Sequence, residues 1–390
     1  MKHIKKKEIE NNSHRTRTNL SSFFILFYRW VIMKKVLLFC LLFFIGINYS
    51  YASTSTANSY VLMDMDTGRV IESKNKDTPM LIASITKIMT CIIAIENGNL
   101  DEIVKVDDSV LKSYGSGIYI SVGEEIKLID LLYGLMLRSG NDAAIMISTY
   151  ISGSEEEFVK LMNKKAKEIG MKNTIFYNSS GLDNTTMGNL STSYDMALLT
   201  KYAMQNETYK EIVKTKKHAV KTNLKTYIWY NKNKLLSYDY VTGGKTGYTE
   251  KAKRTLVSTA SKNNINLIVV TIKDSDDWNT HNSLYKKIFD NYINLKVLNK
   301  NTFKVEKDSY YDYLYIKDDI YITLKQDETY DLINHIKLEK KEDYEEGEQV
   351  GTSYIYLDDT LVSEVPIYAK KIESKIPKTI FDIIRSWFKW

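Results

Sequence analysis

The stretch ASITKIMT, residues 83–90, carries the strongest signal in this sequence. A serine and a lysine three residues apart lie on one face of a helix, so Ser84 and Lys87 are predicted neighbours. A hydroxyl is a weak nucleophile until a nearby group takes its proton. A lysine can take that proton when burial or another cation lowers its pKa, and the apolar residues around Lys87 predict burial. The stretch therefore indicates a serine nucleophile with a lysine base.

The same Ser-x-x-Lys spacing recurs four times elsewhere, and we interpret those four as solvated surface pairs. Ser84 differs because it opens a strongly apolar helix, predicted over residues 84–97 and ended by Gly98. Its hydroxyl also lies near the positive end of that helix. The four surface pairs are Ser73/Lys76, Ser109/Lys112, Ser283/Lys286 and Ser386/Lys389.

Two more motifs carry hydroxyl, amide and ammonium groups. The sequence Ser-Gly-Asn at residues 139–141 follows an apolar helix, and its side chains can relay a proton and orient a substrate amide. The sequence Lys-Thr-Gly at residues 245–247 precedes a predicted strand, where a lysine and a hydroxyl suit a carboxylate. Gly247 lets a substrate backbone approach closely. Taken alone, the first motif is also typical of a helix N-cap and the second of a glycine-rich turn.

The three motifs share the order and rough spacing of a known catalytic set in which Ser-Asp-Asn stands for Ser-Gly-Asn. With them, the chain resembles the low-molecular-mass penicillin-binding proteins, the serine-type D-Ala-D-Ala carboxypeptidases of peptidase family S11. The resemblance extends from about residue 60 to residue 273. It includes ASITKIMT at 83–90, LMLRSGNDAA at 135–144, MNKKAKEIGMKNTIF at 162–176, NSSGLD at 178–183, STSYDMALL at 191–199, NKNKLL at 231–236 and GGKTGYT at 243–249.

This resemblance implies a proton path around the nucleophile. Ser84 would attack the carbonyl between the two terminal D-alanines, with Lys87 as its general base. Ser139 and Lys245 would help to pass the proton to the leaving D-alanine. Backbone N–H groups of Ser84 and Tyr248 would form the oxyanion hole. Water would hydrolyse the acyl-enzyme, and penicillin would acylate the same serine. Lys245 close to Lys87 would lower the pKa of Lys87 by repulsion of like charges.

The resemblance also implies how the substrate is held. Asn141 would bind its amide, and Thr246 would hold its terminal carboxylate with Arg254 nearby. Lys245 and Gly247 would complete this substrate-binding set. The implied fold is an α/β (α+β) penicillin-binding/β-lactamase-like transpeptidase domain, an antiparallel sheet with a helical cluster, followed by a small all-β C-terminal domain. The implied partners are the peptidoglycan stem pentapeptide and β-lactam inhibitors, with no cofactor and no metal.

The chain departs from the family pattern at two places, and two alternatives remain open. Ser179-Ser180 and Ile82 replace residues that are usual in the family, which affects the tuning of the pocket and not the three motifs. One alternative is a class A β-lactamase, but the glutamate segment ExxLN of that class is missing, so we expect slow β-lactam turnover. The other is a catalytically inactive cell-wall binding module, against which the intact Ser84, Lys87, Ser139 and Lys245 argue.

Composition excludes several other classes of function. The net charge is +6, much of it within the first 35 residues, so the sequence shows no nucleic-acid footprint. Of two cysteines, Cys40 lies in a hydrophobic leader and Cys91 lies among apolar residues, which excludes an internal disulfide in the mature chain. Five scattered histidines form no metal-ligand pattern.

The N-terminal segment predicts export, and the C-terminal segment predicts attachment to a membrane surface. Residues 1–52 resemble a leader, with Met33-Lys34-Lys35, an apolar run over 36–47 and predicted cleavage after Ala52. An alternative is that Met33 is the true start, and an uncleaved leader also stays open. Residues 371–390 are predicted to form an amphipathic helix on the outer face of the cytoplasmic membrane, the alternative being a helix docked on the protein's own core.

Between these ends we predict a catalytic domain over 53–298 and a β-rich domain over 299–370. A hairpin is expected around Thr67-Gly68, and strands at both ends of a helical middle predict a mixed sheet with helices packed on it. Helices are predicted over 128–152, 155–170, 193–205 and 283–292, and strands over 60–64, 69–72, 255–260, 266–273, 313–316, 320–324, 354–357 and 361–365, with Asp358-Asp359 as the last turn.

Overall fold

The computed structural model describes residues 28–30, 32–35, 55–183, 187–305, 310–325, 327–341 and 343–371. Residues 1–54 form one compact unit, in which the described residues are helical, and residues 55–390 form a second unit. The predicted cleavage site and nearly all of the predicted C-terminal membrane helix lie outside the described residues. Within the described ranges, no helix combines the length and the apolar character that a membrane crossing needs.

The second unit contains seven α-helices and seventeen strands within its described residues. The helices are α1 Lys87–Asn97, α2 Leu128–Tyr133, α3 Asn141–Ser152, α4 Glu155–Ile169, α5 Ser193–Ala203, α6 Glu207–Lys214 and α7 Asp277–Asn291. The strands are β1 Ser59–Asp64, β2 Val70–Lys74, β3 Met80–Leu81, β4 Ile103–Lys105, β5 Glu125–Lys127, β6 Leu190–Ser191, β7 Lys217–Lys221, β8 Thr226–Tyr230, β9 Val241–Thr249, β10 Lys253–Lys262, β11 Ile265–Ile272, β12 Tyr292–Leu298, β13 Tyr313–Tyr315, β14 Ile320–Lys325, β15 Leu332–Leu338, β16 Gln349–Leu357 and β17 Thr360–Lys370.

Five antiparallel strands in the order β2-β1-β11-β10-β9 form the central sheet. Strands β1 and β11 are buried along nearly their whole length, which is the pattern of a sheet covered on both faces. The predicted hairpin around Thr67-Gly68 is the β1–β2 connection. Strand β9 lies at one edge of the sheet, so its outer side is free of strand partners in the described residues.

Successive residues of a strand point to opposite faces, and two cores follow from this alternation. Val61 and Met63 of β1 belong to the core beneath helices α1 to α6. Leu62, between them, belongs to the core beneath α7, together with Leu284 and Ile288. The observed architecture, an antiparallel sheet with a helical cluster, is therefore the one that the sequence predicts.

The helical cluster differs from the prediction at one point that matters for the site. The predicted helix over 128–152 is interrupted after α2 by a π-helical turn, Gly134–Arg138, and by Ser139 with φ 64° in the left-handed region. Helix α3 then restarts at Asn141. A π turn inside a helical segment commonly marks a functional site, because it redirects the side chains that follow.

The C-terminal region is all β, as predicted. Strands β13-β17-β16-β15 form one sheet and β12-β14 a second, around a core of their own. Arg69 in the β1–β2 connection donates to the Thr323 carbonyl (2.7 Å) and pairs with Glu328 (3.2 Å). The Thr323 N–H donates to Asp64 (3.1 Å). Thr323 of the β region therefore contacts the β1–β2 hairpin through both its carbonyl and its N–H group.

Candidate active site

The close approach of strand β9 to the predicted nucleophile is set by Gly247. A Cβ at this position would lie 2.9 Å from the Ser84 backbone nitrogen and 2.3 Å from the Thr255 hydroxyl oxygen. Real Cβ atoms do not come so close, so any other residue would push the strand away from Ser84. The Thr255 hydroxyl in turn donates to the Ile82 carbonyl (3.0 Å), which ties β10 to the segment leading into Ser84.

Ser84 lies in a 3-10 turn, Ala83–Thr86, that runs directly into α1. Ala83 has φ 49°, in the left-handed region that L-residues with a Cβ rarely adopt. Gly181 packs against this residue so tightly that a Cβ there would lie 2.0 Å from the Ala83 carbonyl oxygen. The bend before Ser84 is therefore held by a neighbouring glycine turn, and Ser84 remains partly exposed to the cleft.

The Lys87 ammonium group is fully buried and makes three contacts. Its Nζ donates to the Asn141 Oδ1 atom (2.7 Å) and to the Ser180 carbonyl (2.5 Å), and it lies 3.1 Å from the Ser84 Oγ atom, to which it also donates. The first two partners can only accept. As an ammonium group, Lys87 donates in all three contacts. As a neutral amine it keeps its two N–H groups on the two acceptors, and its lone pair then points at the Ser84 hydroxyl, which becomes the donor.

Burial lowers the pKa of Lys87 to about 7, assisted by the positive charge of Lys232. Lys232 is exposed, so solvent screens its effect and burial is the main cause. Burial also places the pKa of Lys245 well below its usual range, and repulsion from Lys87 adds to this. Because the pKa of Lys87 is about 7, a large fraction of its side chains carries a neutral amine at neutral pH.

Sequence reasoning had the charge of Lys245 lowering the pKa of Lys87. Burial is the largest cause of the lowered pKa of both lysines, and repulsion between two ammonium groups is mutual rather than confined to Lys245. Lys245 is buried and its Nζ donates to the Thr246 carbonyl (2.7 Å). Its side chain and the missing Cβ of Gly247 point to the same face of β9, because they are two residues apart.

Ser139 and Asn141 flank the break between the π turn and α3, and both are buried. Asn141 receives the Lys87 hydrogen bond on Oδ1, and its Nδ2 donates to the Tyr114 carbonyl (2.6 Å). The structure thus brings Asn141, Lys87 and Ser84 together directly. Among the hydrogen bonds of the described residues, none joins Ser139 to Lys87 or Lys245.

Thr246, Tyr248 and Arg254 share the other face of the sheet edge. Arg254 of β10 lies opposite Tyr248 of β9, and Thr246 is diagonal to it on the same face. The Arg254 guanidinium is held by Asp277, with Nη2 2.6 Å and Nε 3.1 Å from the Oδ1 atom. Thr246 is half-buried and Tyr248 is exposed.

Two contributors to the site were missed by sequence reasoning. The Ser180 carbonyl fixes Lys87, but a backbone acceptor leaves no residue-type signal; the GLD turn after it was the only available hint. The second is Glu155, whose Oε1 accepts from the Ser179 N–H (2.9 Å) and hydroxyl (2.6 Å) and so anchors this turn. Glu155 is the first residue of the predicted helix over 155–170, where an acidic side chain is common, so its residue type gives no signal of this contact.

Comparison with known proteins places this geometry in a family. The chain matches the family model of D-alanyl-D-alanine carboxypeptidase, S11 peptidases, over residues 48–276, which is more than half of its length. The chain belongs to the D-alanyl-D-alanine carboxypeptidase family. Residues 292–374 of this carboxypeptidase match the model of the penicillin-binding protein 5 C-terminal domain. The predicted family, fold class, enzyme class and cell-wall function are confirmed.

Individual relatives agree with this assignment. The carboxypeptidase is 33% identical over 333 residues to D-alanyl-D-alanine carboxypeptidase DacF of Bacillus subtilis, covering 81% of this chain and 85% of the relative. It is 36% identical over 219 residues to a D-alanyl-D-alanine carboxypeptidase of Streptomyces, covering 51% of this chain and 75% of the relative. The crystal structure of penicillin-binding protein 5 from Haemophilus influenzae superposes with a TM-score of 0.69 at 26% identity, covering 82% of this chain and 97% of that one.

Proposed function

We propose that this carboxypeptidase releases the terminal D-alanine of cell-wall pentapeptides through an acyl-enzyme on Ser84. Neutral Lys87 takes the hydroxyl proton while Ser84 Oγ bonds to the carbonyl carbon between the two D-alanines. The peptide C–N bond then breaks, and the proton passes to the leaving amine, with Ser139 and Lys245 near its path. Water hydrolyses the resulting ester, which returns the proton to Ser84. The observation that carries this proposal is the 3.1 Å contact between Lys87 Nζ and Ser84 Oγ.

The negative oxygen that forms during attack needs donors already in place. The backbone N–H of Ser84 and that of Tyr248 are the proposed donors. The approach of Gly247 to the Ser84 nitrogen supports this, because it brings the two backbone segments side by side. The substrate itself would lie along the free edge of β9, with its amide near Asn141 and its terminal carboxylate near Thr246 and Arg254.

Penicillin and related β-lactams are proposed to acylate the same serine. We expect turnover of this adduct to be slow, because the sequence contains no ExxLN segment whose glutamate could promote deacylation. Rapid hydrolysis of nitrocefin would instead favour a β-lactamase. An inactive binding module would take up no label from fluorescent penicillin.

The family acts on the cell wall, which is consistent with a location outside the cytoplasm. We propose in addition that residues 1–52 are removed on export and that residues 371–390 hold the enzyme at the outer face of the membrane. Support for the second point comes from the sequence, in which apolar side chains and terminal tryptophans recur on one helical face.

The release of D-alanine from a synthetic pentapeptide tests the role of Ser84. We expect the Ser84→Ala variant to lose D-alanine release by at least about 10³-fold and to lose fluorescent penicillin labelling, because no other hydroxyl of the described residues is hydrogen-bonded to Lys87. Ser73→Ala is the matched control, since Ser73 has the same spacing to a lysine but lies exposed on β2. Retained labelling of Ser84→Ala, or loss of it in Ser73→Ala, would show that another serine is the nucleophile.

A further inference from the structure

The side chain of Arg254 is fixed before any substrate arrives. Asp277 accepts two of its N–H groups on a single oxygen, at 2.6 and 3.1 Å, and the Trp278 ring lies 5.2 Å from the guanidinium carbon. The Asp277 side chain is only 2% exposed, whereas that of Arg254 is 39% exposed. One partner is thus built into the fold and the other faces the solvent.

The contact leaves donors of Arg254 available. A guanidinium has five N–H donors in a planar fork, and the bonds to Asp277 use Nε and Nη2. A planar fork with free donors matches the geometry of a carboxylate. Since Thr246 lies diagonal to Arg254, its hydroxyl and the remaining guanidinium donors are on the same face of the sheet edge.

The support for Asp277 comes from the backbone around it. Asp277 is the first residue of α7, and the Asp274 N–H shortly before it donates to the Arg254 carbonyl (3.2 Å). Asp274 is itself buried and anchored by the Thr56 hydroxyl. The segment that carries Asp277 is therefore tied to the same strand residue whose side chain Asp277 holds.

We propose that Asp277 and Trp278 are positioning residues, which hold the Arg254 guanidinium beside Thr246 to receive the C-terminal carboxylate of the substrate. This inference rests on the proposed function, because it presumes that the carboxylate binds there. A restrained guanidinium loses less side-chain freedom when the carboxylate arrives, so binding is tighter. The pair would act on peptides that end in a free carboxylate and not on the chemistry at Ser84.

The competing explanation is that Asp277 only fastens α7 to β10. The two are separated by comparing two substrates: a pentapeptide that ends in D-Ala-D-Ala and the same peptide with a C-terminal amide. The ratio of their kcat/KM values measures recognition of the carboxylate. A purely structural role would change both substrates alike and leave the ratio unaltered.

We expect Asp277→Asn to lower this ratio about tenfold, through a higher KM for the free acid with little change in kcat. Arg254→Gln should lower it at least as far, and the double variant should be no lower than Arg254→Gln alone, because the two residues act as one unit. Asp277→Glu, which keeps the carboxylate, should restore part of the ratio. Lys287→Met is the control on α7, since Lys287 pairs with Glu72 far along the helix and should leave the ratio at the wild-type value.

An unchanged ratio in Asp277→Asn would overturn the inference, and so would an equal loss on both substrates. If Asp277→Asn fails to fold, Asp277→Glu and Trp278→Leu supply the test, with reduced ratios expected in both and a wild-type ratio in both contradicting the inference. If these variants leave the ratio of kcat/KM values unchanged, the proposed function still stands as long as Ser84→Ala abolishes D-alanine release. Retained release by Ser84→Ala would instead contradict the proposed function.

Discussion

At the scale of single residues, the chemistry depends on the buried amine of Lys87. Two oxygens that can only accept, from Asn141 and Ser180, bind its N–H groups, and the Ser84 hydroxyl occupies the third direction. An amine in this setting is favoured in its neutral form because burial removes the water that would stabilise its charge. The same contacts fix the direction in which its lone pair points.

Residue identity predicted part of this arrangement. The spacing of Ser84 and Lys87 and the apolar residues between them predicted both proximity and burial. The part played by Asn141 toward Lys87 was not predicted, since its amide had been expected to bind substrate. A residue 54 positions away becomes a neighbour of Lys87 only through the packing of α3 on α1, which no local pattern reports.

At the scale of elements, the site is the meeting of a helix start with a sheet edge. Gly181 and Gly247 have no side chain, so the backbone around each of them can contact the segment that contains Ala83 and Ser84. Packing of this kind is intolerant of even one added methyl group, because the neighbours on the far side are backbone atoms.

We predict that Gly247→Ala slows acylation by penicillin about 10- to 100-fold. The added methyl group would lie 2.9 Å from the Ser84 nitrogen, so strand and nucleophile must separate, and small displacements at a reacting centre cost rate steeply. The measurement is the rate constant of fluorescent penicillin labelling. Gly243→Ala controls for a general disturbance of β9, because its methyl group would lie 2.4 Å from the buried Val213 side chain and not beside Ser84. Equal labelling rates for Gly247→Ala and the wild type would contradict this explanation.

Element prediction succeeded where the local pattern was strong. The hairpin around Thr67-Gly68 and the helices α4 and α5 lie close to their expected positions. The helix over 84–97 begins instead with a 3-10 turn, and the closing helix begins at Asp277 rather than 283. Polar residues dominate that first turn of α7, so its apolar periodicity begins late. Strand β7 was missed because lysines obscure its alternation, and β8 was missed although its aromatic and β-branched residues are typical of a strand.

At the scale of the whole molecule, the catalytic part and the β region meet at the β1–β2 hairpin. Arg69 and Asp64 contact Thr323 from two directions, and Glu328 neutralises the arginine. Strand β12 pairs with β14 and so shares the β region although it precedes the predicted boundary at residue 298. The division into domains remains a prediction.

The proposed membrane helix gives a prediction for the intact protein. Removing residues 377–390 should release the enzyme from membranes, because the apolar face and the terminal tryptophans would be lost. The measurement is fractionation of cells that express the truncated and full-length chains, after signal cleavage has been confirmed. Fluorescent penicillin labelling of both chains is the control for folding. Continued pelleting of the truncated chain with the membranes would count against the helix.

The central claim is that neutral Lys87 removes the proton of Ser84, and the pH dependence of acylation tests it most directly. Because the pKa of Lys87 is lowered to about 7, Lys87 is protonated and inactive as a base below that pH and becomes competent above it. The rate constant for acylation of the wild type by penicillin should therefore rise about tenfold per pH unit up to about pH 7 and then level off. Lys87→Arg should be slower by about 10³-fold and show no such rise. A rate constant that is flat from pH 5 to pH 9 in the folded wild-type enzyme would contradict the claim.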